Sequence, residues 1–122
     1  AMLNIQAFLP GVENLLLRHG DIYEGIEERE VDRIALDLPE PWRAVGVAAE
    51  ALRSGGQMVS FLPTALQLHR LYEALEADPR FDFIDSFEVL HRPWHLAATS
   101  ARPAHRMVAH TAFLTHARLL GQ

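Results

Sequence analysis

The stretch Asp37-Leu38-Pro39-Glu40-Pro41-Trp42 constrains the fold of this chain more than any other. It comes directly after a short apolar run, Ile34 to Leu36, of the kind that forms a buried strand. Pro39 cannot donate to a sheet ladder, so the strand must end before it. Pro41 suits the first turn of a helix, where its missing N–H leaves no bond unmade. Asp37 is therefore expected where a strand ends and a helix begins, the edge at which open α/β sheets bind ligands. Spacing alone leaves a second reading open, in which Asp37 caps the helix and Trp42 packs beneath it.

The neighbouring segments extend this unit. Val12 to His19, with Leu15, Leu16 and Leu17 in a row, reads as a strand covered on both faces. Gly20-Asp21 ends it, which puts a second acid at a strand end. Tyr23 to Asp32 is an acidic turn or short helix, and Val31 to Leu38 is the next strand. Trp42, Val45, Ala49 and Leu52 share one face of a helix over Pro41 to Arg53, stopped by Ser54-Gly55-Gly56. Gln57 to Leu62 is a strand. Thr64 with Gln67 is a capping-box pattern that opens a helix to about Ala77, with Leu68, Leu71, Tyr72 and Leu75 inward. Phe81 to His91 alternates as a strand, with Phe81, Phe83, Asp85, Phe87 and Val89 on one face. Arg92 to Ala104 reads as a long connection, and Met107 to Leu119 as the last strand. Ala1 to Pro10 stays ambiguous. Strands alternating with helices imply an α/β fold with a mostly parallel sheet, and the last two strands form an antiparallel pair at one edge.

With 122 residues the chain makes one compact domain. It has no cysteine, so disulfides, thiolate metal sites and cysteine nucleophiles are excluded. No apolar run is long enough to span a bilayer and no signal peptide is evident, which makes a cytoplasmic protein the default. Charge is unevenly spread. Up to Glu88 there are 7 arginines against 16 acids, a balance of −9, whereas the remainder carries four arginines, five histidines and no acid. Such asymmetry either marks a phosphate-facing end or results from which strands come last. His110, among apolar neighbours, is expected to be packed, and no histidine spacing matches a metal site.

Several motifs resemble one family. Residues 37–52, DLPEPWRAVGVAAEAL, are similar to the fourth motif of the tRNA adenine-N1 methyltransferases that modify the T-loop adenine, the TrmI group of class I S-adenosylmethionine-dependent methyltransferases. Residues 55–75, GGQMVSFLPTALQLHRLYEAL, resemble the adjoining C-terminal segment of those enzymes. HRPW at 91–94 and RPAHRMVAHTAFLTHARLL at 102–120 resemble the family's last two strands, and VENLLLRHGD at 12–21 its third motif. The pairing of Asp-x-Pro-x-Pro-Trp with His-Thr-Ala-Phe-Leu is the specific part.

The resemblance implies the C-terminal half of a Rossmann-like methyltransferase fold. Residues 1–122 would be the C-terminal part of that domain, without its glycine-rich loop and N-terminal domain, and so a truncated piece expected to be inactive alone. The cofactor implied is S-adenosylmethionine and the partner tRNA. Asp37 would be the carboxylate that stabilises charge developing on the methylated adenine, or accepts its proton. Asp21 would meet the cofactor's adenine, and Asp37, Leu38 and Pro39 would line the transfer site. The competing reading of Asp21 is an ordinary turn aspartate. Trp42 is expected to be structural. Arg92, Arg102 and Arg106 would contact tRNA phosphates, against a bland reading as solvated loop arginines. Family members are usually tetramers, so a homo-oligomer is expected, with no metal and no membrane. The alternative is a non-catalytic oligomerisation or RNA-binding remnant.

Overall fold

A computed structural model describes residues 2–121. Its centre is the β-α-β unit expected around Asp37. Strand β1 (Val31–Leu36) ends one residue before Asp37. A 3-10 turn over Pro41–Ala44 starts at Pro41, continues into the α-helix at Val45–Ala51, and strand β2 comes next at Leu52–Leu62. β1 and β2 pair in parallel, with Leu36 opposite Ser60.

The helix at Ala65–Glu76 lies against the sheet and leads into β3 (Phe81–Glu88). The last strand of this sheet is Phe113–Leu119. It inserts between β2 and β3, antiparallel to both. The sheet is therefore parallel at its start and closed by an antiparallel pair at the other edge, as the sequence leads one to expect.

The pleat explains where the core sits. Met58, Ser60, Thr115, Ala117, Phe81 and Leu119 face the helices and are buried. Leu71 and Leu75 of the Ala65–Glu76 helix cover them, and Val45 and Ala49 of the preceding helix join the same cluster. Val59 and Phe61, one residue out of phase, point to the opposite face and are exposed.

Several expectations fail, each for a physical reason. Val12–His19 forms no strand among the described residues, and Leu16 is 70% exposed. A run apolar on both sides gains burial only where both sheet faces are covered, and here the helices cover one. The Gly55-Gly56 pair does not stop the helix, because β2 has already begun at Leu52. Instead it accommodates an irregularity: Val31 pairs with Leu52 but Arg33 with Gln57, and Gly55 has φ +77°. A Cβ at Gly56 would lie 2.8 Å from the Arg53 carbonyl, so only glycine fits.

Phe81 and Phe83 do not share a face. Phe83 adopts φ +53°, the pairing slips between Asp82 and Asp85, and Phe81 is 6% exposed against 65% for Phe83. Tyr72 points outward and donates to Glu76 Oε1 at 2.7 Å. The expected long connection contains a hairpin, β4 (Trp94–Ala97) with β5 (Ser100–Pro103). Met107–Ala112 is not strand, and His110 is exposed rather than packed. The ambiguous N-terminal segment is a short helix, Met2–Phe8.

The turn from the Ala65–Glu76 helix into β3 is clamped by one ion pair. Arg80 donates from Nε to Asp78 Oδ1 at 2.8 Å and from its terminal nitrogen to Oδ2 at 2.6 Å. The hydrogen bond from Arg80 holds the Asp78 carboxyl below its ordinary range. A carboxyl lowered in the folded state stabilises above its unfolded value and loses that contribution as pH falls through the folded one. Asp78→Asn is thus expected to cost about 1 kcal/mol at neutral pH, discounted because the arginine is part-exposed. In urea melts the difference from wild type should shrink as pH falls through the lowered Asp78 carboxyl pKa, and a gap that does not change with acidification contradicts the clamp.

Candidate functional site

The site is the rim where β1 ends. Once the chain leaves Leu36, the prolines at 39 and 41 remove two amide donors from five residues, so the loop cannot continue a ladder. Asp37 emerges exposed, and Leu38 is half-buried against the core. Asp37 does not cap the 3-10 turn: the residue at the cap is Glu40, which makes no side-chain cap bond. The Asp37 carboxylate joins no ion pair among the described residues. Trp42 is half-buried against the core, with the Arg70 guanidinium 5.5 Å from its ring, so it is structural as expected.

Facing this rim is a 3-10 turn over Ile22–Glu24. Asp21 caps it, accepting from the Tyr23 amide at 2.9 Å through Oδ1. A short polar side chain before such a turn satisfies a donor that otherwise has no partner. Asp21 is therefore the turn aspartate of the bland reading, yet it also reaches the groove. A groove of about 490 Å³ runs between the two elements, and Gly20, Asp21, Tyr23, Leu36, Asp37 and Leu38 line it. A second hollow, of about 400 Å³, shares Gly20, Asp21 and Ile22 and continues past Arg18 and Glu28. The structure thus brings Asp21 and Asp37 together on one groove. Two carboxylates beside apolar walls favour a cationic or amine-bearing ligand.

Pro39 is placed differently. It does not line that groove, and its carbonyl accepts from Gln67 Nε2 at 3.0 Å. Two further bonds hold the region. The Ser60 hydroxyl lies 3.5 Å from the Leu36 carbonyl. Arg43 donates to Glu40 Oε2 at 2.9 Å while its guanidinium stacks on Tyr23 at 4.2 Å, joining the two walls. The hydrogen bond it donates to Glu40 raises the already high pKa of Arg43, so it remains a cation. Gln67 and Arg43 do not stand out as site residues in the sequence. The only signal for Gln67 is its capping-box spacing, and Arg43 carries none.

The three arginines lie elsewhere. Arg92, Arg102 and Arg106 are exposed on and beside the β4–β5 hairpin, outside the groove. Pro93 and Ala104 are tied by a backbone bond of 2.9 Å, which brings the chain next to Arg92 close to the chain just beyond Arg102. Arg102 lies 2.7 Å from His105 Nε2, and because guanidinium can only donate, that ring nitrogen accepts. Among the described residues no cluster of three histidine or acidic side chains is placed to hold a metal, and no helix is long and apolar enough to cross a membrane.

Comparison with known proteins places this chain in a family. Residues 12–101 match the family described as tRNA methyltransferase complex GCD14 subunit. The tRNA (adenine(58)-N(1))-methyltransferase TrmI of Thermus thermophilus is 40% identical over 116 residues, which is 94% of this chain and 45% of that protein. Among solved structures, a SAM-dependent O-methyltransferase from Thermotoga maritima superposes with a TM-score of 0.77 at 37% identity, covering 84% of this chain and 38% of that one. The tRNA (m1A58) methyltransferase TrmI from Aquifex aeolicus gives 0.70 at 32%, covering 81% and 40%. The chain spans less than half the length of the curated relatives it matches over most of its residues.

Proposed function

Because this chain belongs to the tRNA methyltransferase complex GCD14 subunit family, we propose that it forms the acceptor-base wall of a tRNA adenine-N1 methyltransferase acting on the T-loop adenine. The single observation that carries the proposal is the convergence of Asp37 and Asp21 on one groove at the end of a parallel strand. Residues 1–122 are read as the C-terminal part of such a domain, without its glycine-rich loop and N-terminal domain. The chain by itself is then expected to be inactive. A tRNA acceptor would be met in the cytoplasm.

The residues present suit S-adenosylmethionine. Asp21 lines the groove, and its carboxylate oxygen that the Tyr23 amide does not engage is the one assigned to an adenine amino group. When bound, that cofactor supplies a methyl group activated by a sulfonium. Asp37 is then the group near the acceptor. Methylation at N1 leaves the base cationic, and a carboxylate already fixed beside it stabilises that charge as it develops. It also accepts a proton from the 6-amino group. Leu36 and Leu38 give the groove apolar walls that strengthen the interaction by excluding water. Arg92, Arg102 and Arg106, on the acid-free side of the chain, are assigned to tRNA phosphates, which guanidinium groups bind in bidentate fashion.

A chimera tests this reading. The chain replaces the aligned region of the Thermus thermophilus enzyme, and methyl incorporation is mapped by nucleoside mass spectrometry. The expected product is 1-methyladenosine in the T loop of tRNA. A folded chimera that methylates an oxygen of another acceptor, or nothing, contradicts the proposal.

A further inference from the structure

Gln67 stands 28 residues from Pro39 in sequence yet bonds to it. Three hydrogen bonds run in series. The Gln67 amide donates to Thr64 Oγ1 at 3.3 Å, the Thr64 hydroxyl donates to Gln67 Oε1 at 2.6 Å, and Gln67 Nε2 donates to the Pro39 carbonyl at 3.0 Å. This is not the usual capping box, in which the third residue reaches back to the cap amide. The side chain is diverted to the loop that carries Asp37.

The direction of the carboxamide is determined. With the hydroxyl donating to Oε1, only Nε2 is left to face Pro39. A flipped amide would set two acceptor oxygens against each other. The loop needs such a donor. Pro39 and Pro41 have no N–H, and among the described residues the segment's backbone bond outside the helix and strand ladders is Arg43 N to the Glu40 carbonyl at 3.1 Å. An external donor therefore fixes the middle of the loop, one peptide beyond Leu38.

We infer that Gln67 is a positioning residue: its carboxamide, oriented by Thr64, holds the Pro39 carbonyl and so fixes the direction in which Asp37 enters the groove. This rests on the catalytic reading of Asp37 for its consequence, but not for its structural content. Gln67 is not among the residues that line the groove. It acts through the loop.

Gln67→Glu separates this role from helix capping. Glutamate has nearly the same shape, is the favoured third residue of a capping box, and suits a helix N-terminus. It presents only acceptors to the Pro39 carbonyl. Gln67→Met removes the donor without adding charge. The readout is the backbone 15N order parameter of Asp37, Leu38 and Glu40 in this chain. Wild type is expected near the rigid value of about 0.85, and both variants below about 0.6, with the Gln67→Glu melting temperature lowered by no more than about 4 °C. In the chimera kcat falls about tenfold with little change in KM, the pattern of a lost transition-state alignment. Unchanged order parameters in both variants overturn the inference, and so does a melting temperature that drops in step with them. If the loop loosens while Asp37→Asn leaves kcat intact, Gln67 still holds the loop and the catalytic reading of Asp37 is what fails.

Discussion

Asp37→Asn in the chimera is expected to lower kcat for tRNA methylation by about 10²–10³-fold, roughly 3–4 kcal/mol of transition-state stabilisation. The substitution keeps the side chain's shape and removes its charge. Asp37 lies exposed at the strand end and in no ion pair among the described residues, so its removal leaves no partner stranded. Stability should therefore be unchanged. The charge it answers appears on the base only as the N1–methyl bond forms, so KM for tRNA and for S-adenosylmethionine should stay within about threefold. A fall in KM-derived affinity with kcat preserved would assign Asp37 to ground-state binding instead.

Leu71→Ala carries the largest expected loss of stability, about 2–5 kcal/mol. Leu71 is fully buried where the Ala65–Glu76 helix meets the sheet. Truncation removes apolar contact and leaves a cavity that the rigid sheet cannot close. A domain of this size holds only about 5–15 kcal/mol, so the loss is a large share of the total. Leu66, on the same helix but 80% exposed, is the control, and Leu66→Ala should shift stability by less than about 0.5 kcal/mol. Urea unfolding at constant slope measures both. Equal effects would mean the helix does not pack as described.

The βαβ unit around Asp37 is legible in the sequence because two independent rules agree there. The apolar run sets the strand, and the proline pair sets where it must end. The capping-box spacing places Thr64 as a cap, and its hydroxyl does accept from the Gln67 amide. The parts that are not legible depend on pairing or on cover. A continuous apolar run such as Leu15 to Leu17 becomes a strand only with both faces covered, which local sequence does not specify. The slip at Phe83 needs φ +53° at a phenylalanine, a conformation its side chain disfavours and its neighbours impose. Pro93 and Pro103 read as breaks, yet both sit at the open end of an exposed hairpin, where a missing donor is tolerated.

The site divides the same way. Asp21 and Asp37 stand out because each comes after a predicted strand, although only Asp37 does so in the structure; Asp21 reaches the groove by capping a 3-10 turn. That turn is where glycine next to aspartate is at home. Gln67 and Arg43 act across the fold, through a loop carbonyl and a tyrosine ring, and no spacing rule connects residues so far apart in sequence.

The central claim is that one carboxylate answers the positive charge on a methylated adenine. It is tested most directly by binding in the presence of S-adenosylhomocysteine, comparing tRNA that carries 1-methyladenosine in the T loop with the same tRNA unmethylated. The chimera with Asp37 should prefer the methylated tRNA by about tenfold, the order expected of one charge pair in a groove part-shielded from water. Asp37→Asn should abolish that preference while leaving the affinity for unmethylated tRNA unchanged. An equal preference with and without the carboxylate would contradict the account.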